Sequence, residues 1–579
     1  MRFLRSIFPA TALALLGSFT TACDGGSDTN TGGGGGAGGG GGGGSTAYAP
    51  PPASTIVEDG AVEIRREVFL VAGAEAPPNP EYDGPDAATP AANNFVRVVR
   101  YRVESDPPKP ARAVMVLMPG FLGGAGSYDA LARAVVRRST SADSFEAWAI
   151  DRRSNLLEDH HGLDVAEVTK DPEAARAYYF DGTEVEGKTF AGFLGGPDML
   201  YASEWGMPTT IGDLRNVIDL VPGAEQRGRV VLVGHSFGAT IAEEFAAWDF
   251  DGKAGYEDLA GLVLVDGVSG SEGDAEPPLT QDQYENGGPG PFGMSPGVNG
   301  VRKGSTYFAL PILGVKVLSI AAIASMRAVF APDEIVEDLD RDDAFGTLLS
   351  LGEIPKMTNR GAAGLAFDDA SNGISFAAVS CGTTKGGPME EYDSLLGGKL
   401  EHPSDPTATY DWVEFDETSP AEHTSLDDLA RSWFEGPGLD FAEWYFPYRL
   451  TMDGPIASTL VLKAGDYAYD LYGMRAVHGA KMDLPILAAA AGLVPDPASW
   501  DKLKTLVIDV PIGPDRPLAG TPRTSEDAFR VIDVKELTHI DPLSGADTGS
   551  GKVSGWYDAL VEFATKNTPE GGVTVPIQK

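Results

Sequence analysis

The clearest chemistry in this sequence lies in five residues, Gly234-His235-Ser236-Phe237-Gly238. They stand between RVVLVGHS (Arg229 to Ser236), which reads as a buried strand, and ATIAEEFAAW (Ala239 to Trp248), which reads as a helix. A serine with glycines two residues away on either side fits a tight, strained strand-to-helix turn, with its hydroxyl at a helix N-terminus where negative charge is stabilised. The chemistry this serves is nucleophilic attack on a carbonyl. It needs a general base, an acid to orient that base, and N–H donors for the oxyanion. The pattern alone is weak in a chain with 73 glycines in 579 residues. A second match, Gly293-Met294-Ser295-Pro296-Gly297, has no strand before it. Its Pro296 also lacks the N–H that the residue after the nucleophile must donate, whereas Phe237 has one.

A second donor is expected from the loop after an earlier strand. MPGFLGGAGSYDAL (Met118 to Leu131) lies there, and Phe121, directly after Pro119-Gly120, is the candidate N–H. At this point the sequence resembles the α/β-hydrolase fold family. PGF stands where many members have HGF or HGx, and DRRSN (Asp151 to Asn155) resembles the D-R-x-G-type loop after the next strand. The resemblance covers roughly residues 61–268 and 484–566, and the proline in place of the usual loop histidine departs from the pattern.

The resemblance implies the chain order nucleophile, acid, histidine. Of seven histidines, His539 follows the last strand in VIDVKELTHIDPLSG, where members carry the base. For the acid, members usually use a G-x-x-D turn after the penultimate strand. Here that turn reads Gly492-Leu493-Val494-Pro495-Asp496, one residue too long. A minority use an acid at the end of the strand after the nucleophile helix, the place of Asp266 in LVLVDG. Asp266 is preferred, with Asp496 the alternative.

The elements that must hold these residues follow from periodicity. Ala61 to Val71 and Asn94 to Val103 alternate as half-buried strands, while Ala113 to Gly120, Glu146 to Asp151, Arg229 to Ser236 and Leu259 to Gly267 are nearly continuous apolar strands, as expected of strands covered on both faces. Helical patterns at Tyr128 to Arg138, Ile211 to Val221 and Ala239 to Trp248 alternate with them. The expectation is an α/β fold with a mostly parallel sheet and helices on both faces. Alternation stops near Val268 and resumes near Leu484, so residues 269–480 are expected as an inserted cap between core segments 61–268 and 481–579. The long apolar run Leu310 to Phe330 is broken by Pro311, Lys316 and Arg327, and is expected as a cap helix rather than a membrane span.

Acidic residues exceed basic ones, 84 to 44, for a formal charge of −40, which disfavours nucleic acid as a partner. Residues 1–22 carry Arg2, Arg5 and a short apolar stretch, the pattern of a secretory signal. Cys23 at its end, followed by a Gly/Pro-rich linker (23–60), resembles the lipidated cysteine of bacterial lipoproteins, although Thr20 stands where leucine is usual. The expectation is export with a lipid anchor in a membrane at Cys23, the alternative being a soluble secreted protein. Cys381 would then be unpaired and is expected to be buried and inert.

Three other matches are set aside. Gly182 to Thr189 fits the P-loop pattern, but Glu184 and Glu186 fall where amides should cradle phosphate. Asp338, Asp340 and Asp342 imitate a calcium loop, with Asp343 where glycine and Leu349 where glutamate are required. His160 and His161 are adjacent, have no spaced partner, and read as a solvated loop rather than a metal site. What remains is a serine hydrolase of a carboxylic ester with a hydrophobic acyl or alcohol part, acting through an acyl-enzyme on a small, lipid-like substrate without cofactor or metal. An amide, peptide or lactone could replace the ester on the same triad, and the remaining alternative is a non-catalytic surface binding protein.

Overall fold

The computed structural model describes residues 54–58, 62–267, 279–290, 293–308, 314–336, 355–393, 398–436 and 440–576. Cys23 and the aspartates at 338, 340 and 342 lie outside these. The central sheet has nine strands: β1 (Ser54–Glu58), β2 (Val62–Ala72), β3 (Phe95–Val103), β4 (Ala113–Met118), β5 (Phe145–Asp151), β6 (Val230–His235), β7 (Gly261–Val265), β8 (Ile486–Ala490) and β9 (Phe529–Asp533). Their order is β1-β2-β3-β5-β4-β6-β7-β8-β9. Pairings from β5 through β4 to β9 are all parallel, and those among β1, β2, β3 and β5 are antiparallel.

The continuous apolar strands are explained by burial on both faces. Val114, Val116, Leu232, Leu262 and Ile486 point to one side, under the helices Met207–Ile218 and Phe237–Ala247. Their alternates Met115, Leu117, Val231, Val263 and Leu487 point to the other, under Asp129–Arg137 and Gly551–Asn567.

Three expectations are corrected. Residues 54–58, placed in the linker, form a strand: a run that includes the β-branched Thr55, Ile56 and Val57 pairs antiparallel with β2 as an added edge. Strand β3 is not half-exposed, because Arg97, Arg100 and Arg102 are buried in ion pairs. Arg100 pairs bidentately with Glu146 at 2.6 and 2.8 Å, and Arg102 with Glu67 at 2.9 and 3.1 Å. Finally, residues 157–205 do not pack as core. Their helices His161–Thr169 and Pro172–Phe180 share one hydrophobic cluster with Val315–Phe330, Asn359–Phe367 and Trp412 of the insertion.

The insertion between β7 and β8 is itself divided. Its four-stranded sheet, formed by Ile335–Val336, Lys356–Thr358, Gly382–Lys385 and Thr409–Glu414, belongs with that second cluster. Tyr284, Phe308, Phe446 and Leu450 instead join the cluster over β4 and β6. The apolar run contributes a 16-residue helix, Val315–Phe330, packed inside the second cluster. Among the described residues no helix is long and apolar enough to cross a membrane.

Candidate active site

Ser236 follows β6 directly and opens the helix Phe237–Ala247 with φ 55° and ψ −124°, a region that L-residues rarely occupy. The turn is held by Ser236 N–H donating to the Val265 carbonyl at 2.9 Å and by Ala239 N–H donating to the Ser236 carbonyl at 3.0 Å. Gly238 is required by space: a Cβ there would run into the Met118 and Pro119 carbonyls at the end of β4. Gly120 is required in the same way, since its Cβ would sit 2.8 Å from Ser236 Cβ and 3.3 Å from Oγ. The loop carrying Phe121 therefore lies directly against the serine hydroxyl.

His539 and Asp266 meet beneath this turn. His539 Nδ1 is 2.7 Å from Asp266 Oδ2, and both side chains are buried. Three backbone amides converge on the same carboxylate: Ala491 at 2.9 Å, Leu493 at 2.8 Å and Val494 at 2.8 Å. Burial would raise the Asp266 pKa, but the His539 hydrogen bond and these amides outweigh it and hold it below the usual carboxylate value. Asp496 is elsewhere: exposed, it caps the turn Pro497–Trp500 by accepting from Ala498 N–H at 3.0 Å. The Gly492–Asp496 segment thus supplies amides to Asp266 and no acid to His539.

Two further residues complete the arrangement. The first is His235, the residue before the serine. Its Nε2 lies 2.8 Å from the His539 carbonyl, and burial together with the neighbouring His539 ring pushes its pKa down to about 3. A neutral His235 donates Nε2–H to that carbonyl and ties the His539 loop to the elbow. The second is Arg152, which pairs with Glu443 at 2.6 Å and donates to the carbonyls of Pro119, Gly120 (2.9 Å) and Gly123 (3.2 Å). A trans peptide sets C=O and N–H on opposite sides, so holding the Gly120 carbonyl turns Phe121 N–H away from Arg152. The sequence contained a signal for Arg152, the DRRSN run. For His235 the only signal was adjacency to Ser236.

Phe121, Phe237, Phe308 and Phe446 form an aromatic wall beside the serine. Phe121 meets Phe308 and Phe446 edge-on at 4.9 Å, and Phe237 meets Phe446 at 6.3 Å. The insertion also reaches the histidine loop. Buried Asp541 accepts from Thr538 N–H at 2.8 Å on that loop, and from Ser380 N–H at 3.1 Å and Thr424 Oγ1 at 2.7 Å in the insertion. Next to Ser380, Cys381 is free and buried, its thiol pushed well up by burial.

Behind this contact burial raises Asp368 to about 8 and Glu422 to about 7, with Asp369 adding like charge to both. Both folded-state values are raised. Their contribution to stability is therefore full below the ordinary values of 3.8 and 4.5 and is lost as pH rises through 7 and 8. Asp368→Asn, isosteric with the protonated acid, is expected to raise the melting temperature at pH 8 and to leave it nearly unchanged at pH 4. Equal shifts in melts at the two pH values would remove this account.

The other candidates resolve differently. Ser295 lies on a short hairpin strand, Gly293–Ser295, in the insertion, with no parallel strand feeding it. In the P-loop match Val185 and Lys188 close a tight turn and Lys188 pairs with Asp159 at 2.8 Å. The solvated-loop reading of His160 is corrected. Its ring is four-fifths covered, with Nε2 2.9 Å from Glu158 and 3.6 Å from Asp440, a partner that sequence distance concealed.

No protein-family model matches this chain, and no curated protein matches it. Solved structures do resemble it. The epoxide hydrolase VrEH1 from Vigna radiata is 12% identical with a TM-score of 0.35 (88% of this chain, all of that one). A peroxisomal α/β-hydrolase from Saccharomyces cerevisiae is 10% identical with a TM-score of 0.34 (89% and 93%). A thermophilic esterase from Thermogutta terrifontis is 9% identical with a TM-score of 0.31 (87% and 100%). At that distance the likeness decides nothing about activity. The chain's own strand order, its parallel register and the strand-to-helix turn presenting Ser236 make this an α/β-hydrolase fold.

Proposed function

We propose that the protein is a serine hydrolase of carboxylic esters with an apolar acyl or alcohol part. The observation that carries this reading is the buried His539–Asp266 pair, 2.7 Å apart, seated against the strained Ser236 turn. With Nδ1–H donated to Asp266, Nε2 is left unprotonated to take the serine proton as Oγ attacks the ester carbonyl. The carbonyl oxygen becomes an oxyanion received by the N–H groups of Phe121 and Phe237. Collapse of this intermediate expels the alcohol, which takes the proton from His539. Water, deprotonated by the same histidine, then hydrolyses the acyl-enzyme. The apolar preference rests on the wall of Phe121, Phe237, Phe308 and Phe446 rather than on the helix Val315–Phe330, which packs elsewhere. Export and lipidation at Cys23 remain part of the proposal on sequence grounds alone.

The test is covalent labelling. A fluorophosphonate should modify the full chain once, on the peptide containing Ser236, and Ser236→Ala should take no label. An unlabelled wild type would remove the reading, and label persisting on Ser236→Ala would move the nucleophile.

A further inference from the structure

We propose that Glu158, His160 and Asp440 form a binding site for a divalent transition-metal ion of the zinc class, joined by Asn155. The three side chains come from two distant parts of the chain, and one ligand atom from each lies within 4.8 Å of the others. His160 Nε2 lies 2.9 Å from Glu158 Oε2 and 3.6 Å from Asp440 Oδ2, on either side of the spacing of about 3.4 Å expected between ligands placed about 2.1 Å from a tetrahedral zinc.

Asn155 supplies the independent sign that a ligand is missing. It is 1% exposed, its Nδ2 lies 3.3 Å from Asp440 Oδ2, and its Oδ1 has no hydrogen-bond partner. With an ion bound, a half-turn about χ2 would exchange the two atoms and bring this oxygen beside Asp440 as a fourth ligand, in place of the Nδ2–H now donated to Asp440. Buried polar atoms without partners are rare and call for such an explanation.

Charge points the same way. Two neighbouring carboxylates already have cations, Asp151 pairing with Arg97 at 2.5 Å and Glu443 with Arg152 at 2.6 Å. Glu158 and Asp440 offer ligand atoms within 4.8 Å of each other, with the Arg97 guanidinium 3.9 Å from Asp440, so a bound dication would favour ionising both carboxyls. One imidazole nitrogen with two carboxylates and an amide oxygen suits zinc better than calcium or magnesium, which take six or more oxygens. The 20% exposure of the His160 side chain gives the ion a path in.

The ion would act as a clamp. Glu158 and His160 follow β5, whereas the Asp440 and Phe441 carbonyls accept from Gly126 and Gly124 N–H at 2.8 and 2.9 Å, in the loop that begins beside Ser236. Bound metal would therefore fasten the segment after β5 to the stretch of the insertion that holds the oxyanion loop.

The full chain, stripped with a chelator and then given zinc alone, is expected to take up one ion and to melt a few degrees higher. His160→Gln should bind zinc at least about tenfold more weakly, the lower limit for disturbing a metal site. His161→Gln should bind as wild type, because His161 faces the Val185 carbonyl instead. If His160→Gln does not fold, cobalt(II) on the wild type keeps the test, since a four-coordinate site with one imidazole gives an intense visible spectrum. Absence of stoichiometric uptake, equal binding by His160→Gln, or a cobalt spectrum indistinguishable from the aqueous ion would each overturn the site. None of these readouts depends on Ser236, so failure here leaves the hydrolase reading intact.

Discussion

Asp266→Asn is expected to lower kcat by about four orders of magnitude, the effect of leaving a triad histidine in the wrong tautomer. Asp496→Asn should leave kcat within about twofold, the scale of an exposed side chain away from the chemistry. The contrast comes from what each carboxylate receives. Asp266 accepts from Ala491, Leu493 and Val494 N–H and from His539 Nδ1, filling both oxygens. An asparagine there has one acceptor oxygen and presents an NH2 group to donors. Either the amide faces His539 and drives its proton to Nε2, so that the base cannot accept from Ser236, or it faces the backbone amides and loosens the Gly492 turn. The first case lowers kcat with KM little changed and slows fluorophosphonate labelling in parallel. The second lowers the melting temperature as well. Asp496 touches only Ala498 N–H, and its loss costs one cap of a short turn, about 1 kcal/mol at most. Turnover abolished by Asp496→Asn and kept by Asp266→Asn would reverse the assignment.

What could be read from the sequence was whatever depends on local pattern. Strands buried on both faces announce themselves as unbroken apolar runs, and β4 through β7 fall within a few residues of where those runs placed them. Ser236 was legible because a turn and its flanking elements are contiguous. Asp266 was legible because a strand end is a fixed place. What escaped depends on partners far along the chain. The arginines of β3 look solvated until Glu146 and Glu67 are brought beside them. His160 looks like a loop residue until Asp440 arrives from the insertion. The segment 157–205 looks like core because nothing in its own periodicity says that the apolar surface it meets belongs to residues 315–412.

Arg152→Met is expected to destabilise the protein by about 3–5 kcal/mol, because it leaves Glu443 buried without its cation. The Arg152 side chain is 4% exposed and that of Glu443 0%, so solvent cannot take over the charge. The variant should also lower kcat, by up to the roughly 10²–10³-fold that losing one oxyanion donor costs, since the Pro119, Gly120 and Gly123 carbonyls lose the group that sets the Phe121 peptide. The two effects separate in a double variant. Arg152→Met with Glu443→Gln removes the buried charge, so its denaturation midpoint should recover most of what Arg152→Met lost, a strongly non-additive cycle. Its kcat should stay low, because no donor has returned to the three carbonyls. Additive stabilities would mean that the ion pair is not the source of the loss. A kcat restored along with stability would mean that Arg152 acts only through folding, and that the oxyanion loop holds its shape without it.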